Sequence, residues 1–316
     1  MTANKFYTSY FRLSITDYCN LSCYFCYNEG QFSLNKQRDY LSSDDIIWMS
    51  QIAYNQGCTK YKITGGEPTL RNDIPDIVNG IKAMGAEDVA LITNGIHLSE
   101  YAEPLYNNGL DRLIVSVYSF DDLIYKQMTG GTSKSMRQTI QGIDKALNYN
   151  FKDIRINFLF NNTEARLDDL RKTLAFAKSR NIKVLVFPIF HYNIKPQDQI
   201  YSFDELRQII VTNFGVKSDR ILTDKEGFRK VEITTASDEV LLLKLDTLSD
   251  RQVFHACARC QHKAECREGY LPLRLSAKGV LYPCLAQGIP GIDVFESIKN
   301  RDTQSIEKVL QYINSL

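Results

Sequence analysis

Three cysteines within eight residues, Cys19, Cys23 and Cys26, constrain this chain more than any other feature of its sequence. Three and then two residues separate them, and the short apolar run Phe11 to Ile15 leads into the loop that carries them. A loop that presents three thiolates and no fourth suits an iron–sulfur cluster with one iron left open. Structural zinc, the other common use of a compact cysteine group, wants four ligands closing a tetrahedron. The missing fourth ligand therefore favours iron–sulfur over zinc or free thiols.

A second signal stands further along the chain. Lys60 to Thr64 reads as a strand that runs straight into Gly65-Gly66-Glu67-Pro68. Glycines let a backbone come close to a ligand, and a carboxylate can meet an ammonium. Around these motifs the chain alternates. Strands are expected at Phe11 to Thr16, Tyr61 to Thr64, Val89 to Thr93, Leu113 to Tyr118, Ile154 to Phe160 and Val184 to Ile189. Helices are expected from Ser42 and Ser43 through Ile52, over Asp73 to Met84, up to Asn108, over Ser133 to Tyr149 and over Glu164 to Arg180. Six strands alternating with helices imply a parallel α/β sheet with helices outside, whose chemistry sits at the carboxyl ends of the strands. Both motifs lie there.

Beyond Asn193 the rhythm changes. A helix from Ser202 carries a capping box with Glu205, and Val231 to Thr235 with Val240 to Leu245 reads as a hairpin. Ile306, Val309, Leu310 and Ile313 repeat at helical spacing and form a packing face. This places a first domain at 1–195 and a second at 196–316, the latter holding the hairpin, a second cysteine group and the terminal helix.

The net charge of +1 gives no electrostatic case for general nucleic-acid or membrane binding. No apolar run reaches the length of a membrane span, and Met1 to Tyr10 does not read as a signal peptide. Eight cysteines at clustered spacings then read as metal ligands rather than disulfides. A cytoplasmic, reducing setting is expected, with no membrane partner.

The cysteine triplet after a first strand, followed by Gly-Gly-Glu-Pro after a second, resembles the radical S-adenosylmethionine enzymes. The resemblance implies a partial (β/α)6 barrel with a [4Fe–4S] cluster on Cys19, Cys23 and Cys26, whose open iron binds S-adenosylmethionine. Tyr24 and Phe25 would lie in the loop covering the cluster, and Gly65, Gly66 and Glu67 would face the methionine amino group. Thr93, Asn94, Ser116 and Asn157, at strand ends, fall where relatives contact the cofactor; for each, a core or turn role is the alternative. An electron donor such as flavodoxin or ferredoxin is implied as well.

The second cysteine group is Cys257, Cys260, Cys266 and Cys284. Alone it reads as structural zinc or as an auxiliary iron–sulfur cluster. The run Leu273-Arg274-Leu-Ser-Ala-Lys-Gly279, ending in Pro283-Cys284-Leu285, resembles the C-terminal cluster motif of the GTP 3′,8-cyclases of molybdenum-cofactor biosynthesis. Arg12-Leu-Ser-Ile-Thr-Asp-Tyr-Cys19, Thr64-Gly-Gly-Glu-Pro-Thr-Leu-Arg71, Thr93-Asn-Gly and Ser116-Val-Tyr-Ser resemble the same family. The likeness implies a small C-terminal auxiliary-cluster domain of the twitch or SPASM kind, with a second cluster, [4Fe–4S] in type. It departs where the cyclases leave an open iron for the purine. Four cysteines here would fill every site, making the second cluster an electron conduit or anchor. Pro272 stands where the cyclases have another arginine, and the chain ends Asn314-Ser315-Leu316 rather than in Gly-Gly.

Arg12, Arg71 and Arg274 are candidates for an anionic substrate, because a guanidinium matches carboxylate or phosphate bidentately; salt-bridged or solvated arginines are the alternative. His191 and Tyr118 are the catalytic candidates, Tyr118 as a hydrogen-atom donor. His255 and His262 flank the second cysteines, and Cys58 reads as a buried thiol. The expected function is hydrogen-atom abstraction from a small nucleotide or sugar-like substrate in biosynthesis. A short ribosomal peptide is the alternative substrate, and a non-catalytic metal-binding regulator the alternative class.

Overall fold

The computed structural model describes residues 8–26, 38–161, 163–188, 202–223, 229–244, 273–284 and 290–316. The first half alternates as its hydrophobic runs require. In chain order come β1 (Tyr10–Ser14), α1 (Ser43–Asn55), β2 (Lys60–Thr64), α2 (Ile74–Ala83), β3 (Asp88–Thr93), α3 (Leu98–Asn107) and β4 (Arg112–Ser116). These are followed by α4 (Asp122–Thr129), α5 (Ser133–Ala146), β5 (Asp153–Phe160), α6 (Glu164–Ser179) and β6 (Lys183–Pro188). Strands β1 to β6 pair in sequence order, all parallel. This is the expected partial barrel.

The second half supplies α7 (Phe203–Phe214), β7 (Ser218–Thr223), β8 (Arg229–Thr234), β9 (Val240–Lys244), β10 (Leu273–Leu275), β11 (Val280–Tyr282), β12 (Ile292–Asp293), α8 (Phe295–Lys299) and α9 (Thr303–Ser315). Its strands add to both edges of the same sheet. β9 pairs parallel with β6, β10 pairs parallel with β1, and the order among the described residues is β12-β11-β10-β1-β2-β3-β4-β5-β6-β9-β8-β7. The sheet therefore stays open. The expected division at residue 195 falls outside the described residues, and the strands beyond it continue the barrel sheet on its two sides.

Sequence expectations differ from the structure in four places. Helix α4 was not expected; Asp121 caps it by accepting from the Leu123 and Ile124 N–H groups at 2.9 and 3.0 Å, and Gly130 ends it in the left-handed region. β7 was not expected either, because every residue but one along it is exposed and it shows no alternation. The three-residue strands β10 and β11 are too short to carry a period. The first strand stops at Ser14, since Thr16 and Tyr18 are drawn off to bond the loop after β2. The capping boxes at Ser42 with Asp45 and at Ser202 with Glu205 both form, and Ile306, Leu310 and Ile313 are buried as a single face of α9.

Alternation along the strands separates two environments. Phe11, Leu13, Tyr61, Ile63, Val89, Leu91, Leu113, Val115, Ile156, Phe158, Val184 and Val186 pack under the helices in one core. The opposite face, turned into the barrel, carries Arg274, Arg12 and Lys62 in register, with Arg112 level with them across Ala90 and Arg155 two residues further along β5. Burying one end of a helix pair against this sheet fixes the C-terminal strands. Val294 N–H bonds Gly279 O at 2.8 Å, and a β-carbon at Gly279, whose φ is 75°, would meet Phe295 Cα at 2.8 Å. Gly279→Ala should therefore destabilise the fold by more than the roughly 1–2 kcal/mol of a left-handed non-glycine residue. A urea titration would show this as a lowered midpoint with unchanged slope.

Candidate active site

The loop after β1 is built by close backbone approach. Gly66 N–H donates to Thr16 O and Glu67 N–H donates to Tyr18 O, each at 2.7 Å. A β-carbon at Gly66 would lie 2.0 Å from Tyr18 O, and one at Gly65 would lie 2.5 Å from Thr16 O. The two glycines thus admit the shoulder of the cysteine loop itself, a close approach besides the ligand approach expected of them.

Glu67 locks this contact. Its buried carboxylate accepts from Thr69 N–H at 3.1 Å, Thr69 Oγ1 at 2.6 Å and Thr93 Oγ1 at 2.6 Å on one oxygen, and from Asn94 N–H at 2.7 Å on the other. Burial pushes its pKa up, while those four donors pull it back. Asn94 in turn donates through Nδ2 to Asn20 Oδ1 at 2.7 Å, inside the cysteine loop, and accepts from Ile96 N–H at 3.0 Å. Glu67, Thr93 and Asn94 were expected at the cofactor. Their polar atoms are largely committed to one another, so they act as the framework of the loop. Spare acceptor capacity remains on Glu67 Oε2.

The other side of the loop rests on α4. Ser22 N–H bonds Thr129 O at 2.8 Å and Tyr24 N–H bonds Met128 O at 3.1 Å. Met128 and Leu159 form a small apolar cluster with Tyr24, Phe25, Ile124 and Phe187. Gly130 and Gly131 leave room for the loop, since β-carbons there would meet Ser22 Oγ at 2.2 Å and Leu21 Cδ2 at 2.8 Å. The Gly130-Gly131 pair is the sequence signal for this support.

Held this way, Cys19 and Cys26 are exposed and Cys23 is half-buried. Burial is the main cause raising the Cys23 thiol, followed by the charges of Cys26 and Cys19. Cys19 is raised in the same manner, with the Leu21 N–H, 3.4 Å from its sulfur, working the other way. Three thiols that feel one another are a donor set in want of positive charge. Among the described residues no three His, Cys, Asp or Glu side chains close around a single-ion position. Three thiols from one loop suit a polynuclear cluster, in which each sulfur holds a different iron.

Tyr118, just past β4, joins the aromatic cluster of the loop. Its ring packs against Phe25 at 5.4 Å between centroids, and Phe25 meets Tyr24 at the same distance. Ser116 and Asn157 face each other across β4 and β5, and Asn157 Oδ1 is buried with no hydrogen-bond partner. Behind Tyr118 sits a buried pair that sequence reasoning missed. Arg166 donates to Tyr118 O, to Leu159 O and to Asp169 at 2.9 Å, while Asp169 accepts from Ser119 Oγ at 2.6 Å and Phe120 N–H at 3.1 Å.

Beneath the loop, in the barrel interior, Arg12 on β1 lies beside Arg274 on β10 and Lys62 on β2. Burial, then the charges of Arg12, Arg112, Arg155 and Lys230, push the Lys62 ammonium well below the usual lysine range. Burial likewise lowers Arg155, whose Nε has no hydrogen-bond partner. Lys62 and Arg155 are cations in mid-strand, a legible signal that went unread. Arg71 does not belong here. Its guanidinium pairs with Asp73 at 2.6 and 2.8 Å and donates to Ile15 O and Leu41 O at 2.9 and 3.0 Å. The expected substrate role is thus replaced by a brace between chain segments. His191, Cys257, Cys260 and Cys266 lie outside the described residues, as do His255 and His262. Cys284 is half-buried just past β11, and Cys58 is fully buried, its thiol pushed up to about 12 by burial.

With this geometry in place, the chain can be compared with known proteins. Residues 13–188 match the Radical SAM superfamily. A probable GTP 3′,8-cyclase of Methanococcus aeolicus is 30% identical over 293 residues, covering 92% of this chain and 89% of that protein. A probable GTP 3′,8-cyclase of Methanococcus maripaludis is 32% identical over 92% of this chain and 89% of its own length. Among solved structures, Streptococcus suis SuiB bound to S-adenosylmethionine is similar at a TM-score of 0.64 and 16% identity, covering 93% of this chain and 65% of that one. That likeness concerns the fold.

The Gly66 contact is directly testable. Gly66→Ala has no room for its methyl against Tyr18 O, so the cysteine loop should lose its seat. After anaerobic reconstitution, iron per chain should fall toward that of Cys23→Ala while far-ultraviolet circular dichroism keeps its native shape.

Proposed function

The chain belongs to the radical S-adenosylmethionine superfamily, and on that premise we propose that it abstracts a hydrogen atom from an anionic small molecule of nucleotide or sugar-phosphate kind. Membership makes it an enzyme that uses a [4Fe–4S] cluster and S-adenosylmethionine. Cys19, Cys23 and Cys26 would hold the cluster. When bound, the cluster supplies the electron that splits S-adenosylmethionine into methionine and a 5′-deoxyadenosyl radical. Ser116, at the carboxyl end of β4, and Asn157 Oδ1, beside it on β5, would hold the cosubstrate. Tyr24 and Phe25 wall it from water.

The observation that carries the substrate class is the cationic layer inside the barrel. Lys62 makes no ion pair among the described residues, and Asp153 and Asp88 only partly offset the burial of Arg155, so both cations are costly to bury. An anion seated among Lys62, Arg155, Arg12 and Arg274 removes that cost and sets its reactive carbon below the cysteine loop. The likeness to probable GTP 3′,8-cyclases supports a purine nucleotide. Cys257, Cys260, Cys266 and Cys284 are assigned to a second iron–sulfur cluster in the 196–316 region, and a flavodoxin or ferredoxin to electron supply. No described helix is long and apolar enough to cross a membrane. The cysteine usage supports a reducing cytoplasm.

Anaerobic reconstitution tests the reading. Iron and sulfide should bind, and 5′-deoxyadenosine should form with dithionite and vanish in Cys23→Ala. Absence of both sulfide and 5′-deoxyadenosine would sink it.

The substrate class has its own test. An anion beside Lys62 favours the charged ammonium, so binding takes up a proton, and affinity falls as pH rises above the depressed value of the free site. Calorimetry of GTP binding in buffers of different ionisation heat should show that uptake. Lys62→Met should abolish it and weaken binding roughly 10–100-fold, the equivalent of one charge-assisted hydrogen bond.

A further inference from the structure

All three cysteines lie between Ile15, just past β1, and Leu41, just ahead of α1. The two ends of this stretch are bonded to one side chain. Arg71 Nη1 donates to Ile15 O at 2.9 Å and to Leu41 O at 3.0 Å. Its Nε and Nη2 donate to the two oxygens of Asp73 at 2.8 and 2.6 Å, a bidentate pair that fixes the plane of the guanidinium. The N–H groups of the same two residues are engaged elsewhere, Ile15 with Thr64 O and Leu41 with Ala277 O, both at 2.9 Å. Ile15 and Leu41 are buried. Removing Arg71 would therefore strip two carbonyls of a partner at the neck of the loop, where an unmade bond is expensive.

Neighbouring residues close the neck a second time. Tyr40 O–H donates to Asp17 Oδ1, and the Tyr40 ring packs edge-on against Tyr18 at 5.5 Å between centroids. Lys278 Nζ stands 3.6 Å from Asp17 Oδ2, while Arg38 donates to Lys278 O at 3.3 Å and to Asp293 at 2.8 Å. The entry side, Ile15, Asp17 and Tyr18, is thus tied to the exit side, Arg38, Tyr40 and Leu41. The Gly66 and Glu67 contacts hold the entry, and the α4 contacts hold the middle. Arg71 and the Asp17–Tyr40 bond differ from these in joining the two ends. Three thiolates on one loop hold a cluster multivalently. How readily a detached sulfur rebinds depends on the effective concentration that the loop imposes, which falls when its ends drift apart.

We infer that Arg71, fixed by Asp73, is a positioning residue that clasps the neck of the cysteine loop and thereby governs how long the triplet retains its cluster, with the Asp17–Tyr40 bond as a second clasp. The inference rests on the assignment of Cys19, Cys23 and Cys26 as cluster ligands. Lysine cannot replace this arginine, because one ammonium cannot meet Asp73 bidentately and also reach both carbonyls. The clasp touches no thiol. It acts on retention through the closure of the chain.

The full chain is reconstituted anaerobically and challenged with a ferrous chelator, and the phase of iron release that Cys23→Ala lacks is followed. Arg71→Ala should speed that phase at least roughly tenfold, the equivalent of one hydrogen bond to a charged group. Arg71→Lys should fall between, and free guanidinium at a sub-denaturing concentration should slow release from Arg71→Ala again. Hydrogen exchange of the iron-free chain supplies the second readout. The amides of Ser22, Tyr24 and Cys26 should exchange faster in Arg71→Ala, with those of β3 and β4 unchanged. Release at the wild-type rate, or exchange that rises equally through β3 and β4, overturns the proposal. Should Arg71→Ala fail to fold, Tyr40→Phe removes only a hydroxyl and must shift both readouts in the same direction; wild-type behaviour there overturns it. A Cys23→Ala chain that binds and releases iron as the wild type does defeats the cluster assignment instead, so the two failures are distinct.

Discussion

The site depends on one buried carboxylate. Glu67 is removed from water, and a bare carboxylate in that position would be far too costly to keep. Four donors hold it, and they come from the turn after β2 and the end of β3. Hydrogen bonds to a charged group contribute on the order of 1.5–3 kcal/mol each, so this knot outweighs any surface ion pair nearby. Because Glu67 N–H and Gly66 N–H also seize the backbone of Thr16 to Tyr18, the same knot fixes where the cysteine loop leaves the sheet. The position of the three thiols is thus set by hydrogen bonds within the chain itself.

Such a knot could be recognised in the sequence without being understood from it. Gly65-Gly66-Glu67 was conspicuous, but the glycines are required by the chain's own Tyr18 carbonyl rather than by a ligand alone. The β/α rhythm was legible because strands buried under helices read as apolar runs at alternating positions. β7 and the strands β10 and β11 were not, the first because it buries almost nothing and the others because three residues hold no period. Helix α4 was missed for a related reason. It is short and its apolar positions are few, yet its final turn supports the whole far side of the cysteine loop. Arginines divided by context: Arg71 and Arg274 look alike in sequence, and only the fold shows one braced by Asp73 and the other beside Arg12.

The same strands carry two incompatible chemistries on their two faces. Toward the helices they are uniformly apolar. Toward the barrel interior, Arg274, Arg12 and Lys62 set like charges in register on neighbouring strands, where they destabilise one another, and Arg155 adds a further buried cation on β5. Stability alone would not select such a layer. Leucine at position 62 or 155 would bury well and repel nothing. The layer is understandable as a site whose electrostatic cost is relieved when an anion enters, with the depressed Lys62 ammonium as its visible trace.

The C-terminal strands complete that layer instead of merely following it. β10 brings Arg274 into register with Arg12 on the outer side of β1, and the turn after it sends Lys278 to Asp17, 3.6 Å away at the entrance of the cysteine loop. Tyr40 bonds the same Asp17, and Lys278 lies over the Tyr40 ring at 5.3 Å. Leu41 N–H then bonds Ala277 O at 2.9 Å, so the segment after the triplet is stitched to this hairpin. One short motif, Leu273 to Gly279, therefore contributes a cation to the barrel interior and an ion pair to the rim of the loop above it. A change in how β10 seats on β1 would reach the anion layer and the cysteine loop together, because the two are separated by half the length of a single strand.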